Sequence, residues 1–113
     1  MQPTQPPERL IRSGAEIIAQ VCRYLGGISE EEVLGRSRQY EIVYARHLAM
    51  YLLREQRLIG SGAQGYTYEQ IGAFFDRAHT TVIDAVRKIA GLEAWGGEEA
   101  RQIRELRGLV EDG

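Results

Sequence analysis

The sequence predicts an all-α fold of about six helices. Three observations carry that prediction. Apolar residues recur at helical spacing, and no strand-like alternation of useful length occurs. Ser29 with Glu32, and Thr67 with Gln70, have the three-residue spacing of a capping box, which marks a helix start. Glycine pairs at Gly26-Gly27 and Gly96-Gly97 interrupt the apolar runs where helices should end.

The elements follow in order. Residues 1–13 hold all three prolines, Pro3, Pro6 and Pro7, with little apolar material, so they read as a flexible leader. Ile17, Ile18, Val21, Cys22 and Leu25 define a helix over residues 15–25. Ser29 opens a short one that reaches about Leu34, with glutamates suited to the positive end of its dipole. Residues 35–39 form a basic loop. Residues 40–59 give the longest helix, with Ile42, Ala45, Ala49, Leu52 and Leu53 as its buried stripe and Arg46, Arg54 and Arg57 on the other side. Residues 60–65 are a flexible loop by composition.

A helix over residues 67–75 takes its apolar contacts from Ile71, Phe74 and Phe75. A tight turn leads to another over residues 79–92, facing inward through Val82, Ile83, Val86 and Ile89. An amphipathic segment, residues 98–110, carries Ile103, Leu106, Leu109 and Val110. The expected organisation is a leader (1–13), one helical domain (14–95) and an amphipathic C-terminal helix or tail (96–113).

Bulk properties bound the function. A chain of 113 residues makes one domain with one modest core. Its net charge of −2 argues against coating nucleic acid by charge alone. The charge is unevenly placed: residues 36–88 carry +3 and the flanks −5. The one cysteine, Cys22, excludes an internal disulfide and reads as a small buried hydrophobe. No signal peptide or membrane span is apparent, so a cytoplasmic place is expected. Two histidines and one cysteine offer no cluster with metal-ligand spacing, and no phosphate-binding loop occurs. No enzyme, cofactor or metal is therefore expected.

The turn at Asp76-Arg77-Ala78 joins two helices of helix-turn-helix size. The second opens with His79, Thr80 and Thr81, whose imidazole and hydroxyls can hydrogen-bond to base edges in a major groove. A threonine pair can equally well cap a helix. Arg36 and Arg38 on the basic loop could enter a narrow minor groove, or simply be solvated. Arg46 and Arg54, eight residues apart, could face a phosphate backbone together, or pair with acidic neighbours. On pattern alone, DNA reading and a plain helical bundle both remain open.

Two blocks decide between them. Residues 44–55, Tyr-Ala-Arg-His-Leu-Ala-Met-Tyr-Leu-Leu-Arg-Glu, resemble the long helix of the C-terminal DNA-binding domain of the bacterial replication initiator DnaA. Residues 77–89 resemble that domain's signature, in which Arg-Asp-His-Thr-Thr-Val opens the recognition helix, and residues 21–38 are similar to its first helices and basic loop. The resemblance covers roughly residues 15–92.

It implies a helix-turn-helix of the TrpR/DnaA C-terminal type that binds short DnaA-box sequences in double-stranded DNA on the nucleoid. It carries Arg38 to a minor-groove position, and His79, Thr80 and Thr81 to the major groove. Arg46 and Arg54 fall on basic positions facing DNA, with phosphate contact for Arg54, and Arg77 matches the turn arginine. Arg36 joins this set from the basic loop.

Ala78 departs from the family's usual aspartate, which removes an acceptor for a base amino group. The 57–66 loop is longer than usual, and no phosphate loop of a nucleotide-binding domain is present. The expected function is a free-standing, sequence-specific DNA-binding module in replication or transcription control. The alternative is a helical protein-interaction module that has lost strong DNA binding. A homo-oligomer or a protein partner through the C-terminal helix fits either.

Overall fold

The computed structural model describes residues 13–56 and 65–112, the side chain of Asp112 excepted. These residues form six α-helices. They are α1 (Gly14–Leu25), α2 (Glu30–Leu34), α3 (Tyr40–Glu55), α4 (Tyr68–Phe75), α5 (His79–Trp95) and α6 (Gly97–Asp112). The 57–64 part of the expected long loop, and residues 1–12 of the expected leader, lie outside the described residues.

Three helices open on reciprocal capping boxes. Ser29 with Glu32 starts α2 and Thr67 with Gln70 starts α4, as the sequence predicts. The third starts α1: the Glu16 N–H donates to Ser13 Oγ at 3.1 Å and the Ser13 N–H donates to Glu16 Oε1 at 2.9 Å. Ser13 therefore belongs to the first helix as its cap.

Helix α3 is the axis of the fold. All of Leu48, Ala49, Met50, Tyr51, Leu52 and Leu53 are buried, so this stretch is enclosed on every side by α1, α5 and neighbouring helices. It ends at Glu55, four residues before the expected end, because Gln56 turns to extended backbone with ψ 141°. The chain returns against this end, where the Tyr66 N–H donates to the Leu53 carbonyl at 3.3 Å. Gly65 permits that approach: a Cβ there would stand 2.1 Å from the Gln56 carbonyl oxygen.

Helix α4 buries Ile71 and Phe75, while Phe74 stays half-exposed with its ring against Gly14. Helix α5 buries Val82, Ala85 and Ile89; Val86 packs against this core and Ile83 is only partly covered. It runs on to Trp95, past the expected end, before Gly96 (φ 96°) and Gly97 (φ 83°) reverse the chain.

Helix α6 packs back onto α1, α3 and α5, burying Ala100, Ile103, Leu106 and Val110. Leu109, expected on this stripe, remains half-exposed. A clasp fixes α6 from outside. Arg107 donates from Nε and Nη2 to Glu55 at 3.0 Å each and from Nη1 and Nη2 to Glu93 at 2.8 Å each. The Tyr51 hydroxyl donates to Glu93 at 2.8 Å. Hydrogen bonds from Arg107 and Tyr51 hold the Glu93 carboxyl down to about 2.

Candidate nucleic-acid interface

The turn between α4 and α5 is built by three small decisions in sequence. Asp76 takes a left-handed conformation (φ 57°, ψ 50°), which aspartate tolerates better than bulkier residues, and closes α4. The Arg77 N–H then donates to the Gly72 carbonyl at 2.7 Å. Gly72 has to be glycine here, since a Cβ would lie 2.4 Å from the Arg77 carbonyl oxygen. Ala78 is the N-cap of α5 and has no side-chain oxygen to offer.

His79, Thr80 and Thr81 thus occupy the first turn of α5, and all three are exposed. Neither threonine is the N-cap. The Thr81 N–H reaches the Ala78 carbonyl at 3.0 Å, while among the described residues no acceptor meets the N–H groups of His79 and Thr80. An uncapped first turn presents outward donors and the positive end of a helix dipole, the arrangement that binds anions.

The six helices bring the basic loop beside this turn. Arg36 Nη2 donates to Asp76 Oδ2 at 2.9 Å and to the Asp76 carbonyl at 3.3 Å. Arg77 Nη1 donates to the Phe75 carbonyl and Nη2 to the Gly35 carbonyl, both at 2.7 Å. Arg38, two residues further along the loop from Arg36, is exposed.

Arg46 stands apart from the expected surface set. It is 5% exposed, and its guanidinium donates to three carbonyls: Val33 at 2.7 Å, Ser37 at 3.2 Å and Glu32 at 3.2 Å. The expected common face with Arg54 fails for a geometric reason. Eight residues overshoot two helical turns by about 80°, enough to carry one residue from the rim into the seam. Arg54 does lie at the rim, half-buried, with Nη1 donating to the Tyr66 carbonyl at 3.1 Å and its guanidinium 4.2 Å above the Tyr68 ring.

His47 carries no signal in the sequence pattern, yet it registers the charge of this side of the molecule. Burial first, and then the positive charges of Lys88, Arg46 and Arg77, together lower its imidazole to about 4. Asp76 is a second residue that sequence reasoning misses as a functional partner, and nothing local signals it, because its partner Arg36 is 40 residues away. Elsewhere the sign reverses. A groove of about 820 Å³ near the starts of α3 and α6 has Glu32, Glu41, Glu98 and Glu99 among its lining residues, which repel a phosphate backbone. Cys22 is buried, and desolvation together with Glu30 and Glu32 pushes its thiol up, which suits a packing role.

Residues 15–89 match a sequence model of the family described as the bacterial dnaA protein helix-turn-helix. The chain belongs to this DnaA helix-turn-helix family, a DNA-binding fold. It is 37% identical over 91 residues to the chromosomal replication initiator protein DnaA 2 of Chlamydia caviae, covering 80% of this chain and 18% of that protein. It is 35% identical over 105 residues to the chromosomal replication initiator protein DnaA of Thermus thermophilus, covering 92% of this chain and 21% of the relative. The chain thus spans about a fifth of the length of these relatives. The family match over residues 15–89 takes in the basic loop, the turn and the opening of α5. Among the described residues no helix is long and apolar enough to cross a membrane.

Proposed function

We propose that this chain by itself binds double-stranded DNA sequence-specifically at DnaA-box-like sites, on the nucleoid in the cytoplasm, in replication or transcription control. In this reading α5 enters the major groove and presents His79, Thr80 and Thr81 to base edges and nearby phosphates. Arg38 enters the adjacent minor groove, and Arg54 faces a phosphate. The observation that carries the reading is the exposed, uncapped first turn of α5 beside the loop that bears Arg38. Packing of α6 onto the same core supports it over an interaction module, since that helix spends most of its apolar stripe inside the domain.

Selection of bound duplexes from a random pool, followed by a salt titration on the enriched site, tests this. The expected result is one enriched asymmetric sequence, bound with an affinity that falls steeply from low to physiological salt. No enrichment and no duplex binding at low salt would end the proposal. The replacement of aspartate by Ala78 predicts a change at the base pair which that carboxylate would meet.

A further inference from the structure

We infer that Arg46 and Arg77 are positioning residues that hold the two DNA-reading elements at one fixed separation. The inference rests on the proposed DNA reading and deepens it. It begins with an accounting of backbone carbonyls. The last carbonyls of a helix have no partner within the helix and must find one elsewhere. Arg46 meets the carbonyls of Glu32 and Val33 in α2 and that of Ser37 in the loop beyond. Gly35, between them, gives its carbonyl to Arg77. Arg77 in turn bonds the Phe75 carbonyl, in the last turn of α4. One guanidinium therefore ties the end of α2 to the end of α4, and a second pins the α2 side of that tie to the central helix. Arg36 adds a third link, from the loop to Asp76 in the turn.

The consequence concerns the neighbours of these arginines. Arg38 lies one residue past Ser37, whose carbonyl is held by Arg46. His79 lies two residues past Arg77. The loop that offers Arg38 and the turn that aims α5 are thereby one braced unit. A duplex would be read in its two grooves at a set spacing, rather than by two independent contacts. Arg46, 5% exposed with all three nitrogens engaged, is turned inward and away from any phosphate. Lysine cannot replace it, because a single ammonium cannot reproduce the planar fork that meets these three carbonyls.

The test uses the full chain and its lysine variants Arg46→Lys and Arg77→Lys, with Arg54→Ala as the phosphate-contact reference. Each is put through random-duplex selection, a salt titration and backbone amide exchange. Both lysine variants are expected to lose sequence preference in the half of the site opposite Arg38 while keeping it opposite His79, Thr80 and Thr81. Their salt slopes should equal that of the unmodified chain, whereas Arg54→Ala should flatten its slope by about one unit. Amides of residues 35–38 should exchange at least about tenfold faster, with those of α5 unchanged.

An unaltered preference along the whole site, or a slope flattened by about one unit in a lysine variant, overturns the inference. Should Arg46→Lys fail to fold, Arg77→Lys carries the test alone, since Arg77 is only partly covered. If the unmodified chain binds no duplex, the DNA reading falls. The exchange measurement then still decides the brace, and unchanged exchange at residues 35–38 refutes it.

Discussion

Two arginine-centred clusters hold this molecule together, and they differ in what accepts the hydrogen bonds. At the α6 side, Arg107 is met by the carboxylates of Glu55 and Glu93, so its charge is neutralised where it stands. At the α4–α5 side, Arg46 and Arg77 are met by neutral carbonyls. There the backbone is satisfied while the positive charge remains, and Asp76 beside Arg36 is the carboxylate drawn in. Neutral acceptors thus let one set of side chains serve structure and leave a field attractive to phosphate. The ion-paired cluster gives only structure. The comparison predicts that changes on the α6 side should alter stability and leave base preference alone, and that changes at the reading turn should do the reverse.

The largest expected effect lies on the α6 side. Leu106 is fully buried, and Leu106→Ala should remove about 2–5 kcal/mol of stability, read by urea denaturation. The sequence selected by the folded variant should be unchanged; an altered selection would dissolve the division between the two regions. Next come the reading residues. Arg38→Ala and Thr80→Ala should each weaken binding to the preferred duplex by about 1–3 kcal/mol while the melting temperature hardly moves. Equal losses on random duplex would deprive them of any part in reading bases.

A smaller effect joins both properties at one residue. Ala78 caps α5 without a side-chain acceptor, so Ala78→Asp should add a cap to the first turn and about 1 kcal/mol of stability. The same carboxylate would restore an acceptor toward the bases, so the selected sequence should change at one position. A gain in stability with no change in selection would make this residue a cap and nothing more.

How much of this is legible in the sequence depends on the distance between partners. Helix starts are readable where the signal is local, as at Ser29 and Thr67; the Ser13–Glu16 box is equally local, but its place beside the proline-rich stretch masks it. The α6 seam follows the apolar spacing at Ile103, Leu106 and Val110. Leu109 departs because the seam is narrower than the hydrophobic pattern, and in α5 the small Ala85 takes the interior place expected of Ile83. The exposed trio on α5 follows from a local pattern as well. The brace does not. The acceptors of Arg46 lie 9 to 14 residues away and the Gly35 acceptor of Arg77 lies 42 away, and they are carbonyls, which every residue type possesses. No side-chain pattern can announce such a bond, so a buried arginine on an otherwise apolar face reads as a surface charge.

Acid titration separates the two clusters by pH. On the α4–α5 side His47 has its imidazole lowered from 6.5 to about 4 by burial, then by Lys88, Arg46 and Arg77. Below pH 6.5 the unfolded chain takes up a proton that the folded one refuses, so stability falls as pH drops from 6.5 toward about 4 and levels off beneath it. Glu93 on the α6 side is lowered from 4.5 to about 2 by Arg107 and Tyr51. Its contribution is complete above 4.5 and is lost as pH falls toward about 2. His47→Gln should flatten the upper window alone, and Glu93→Gln the lower one alone, in urea denaturation at stepped pH. Because His47 is only partly covered, solvent screening keeps the upper step shallow. A single transition shared by both variants would mean that the two clusters titrate as one, against the independence their different acceptors imply.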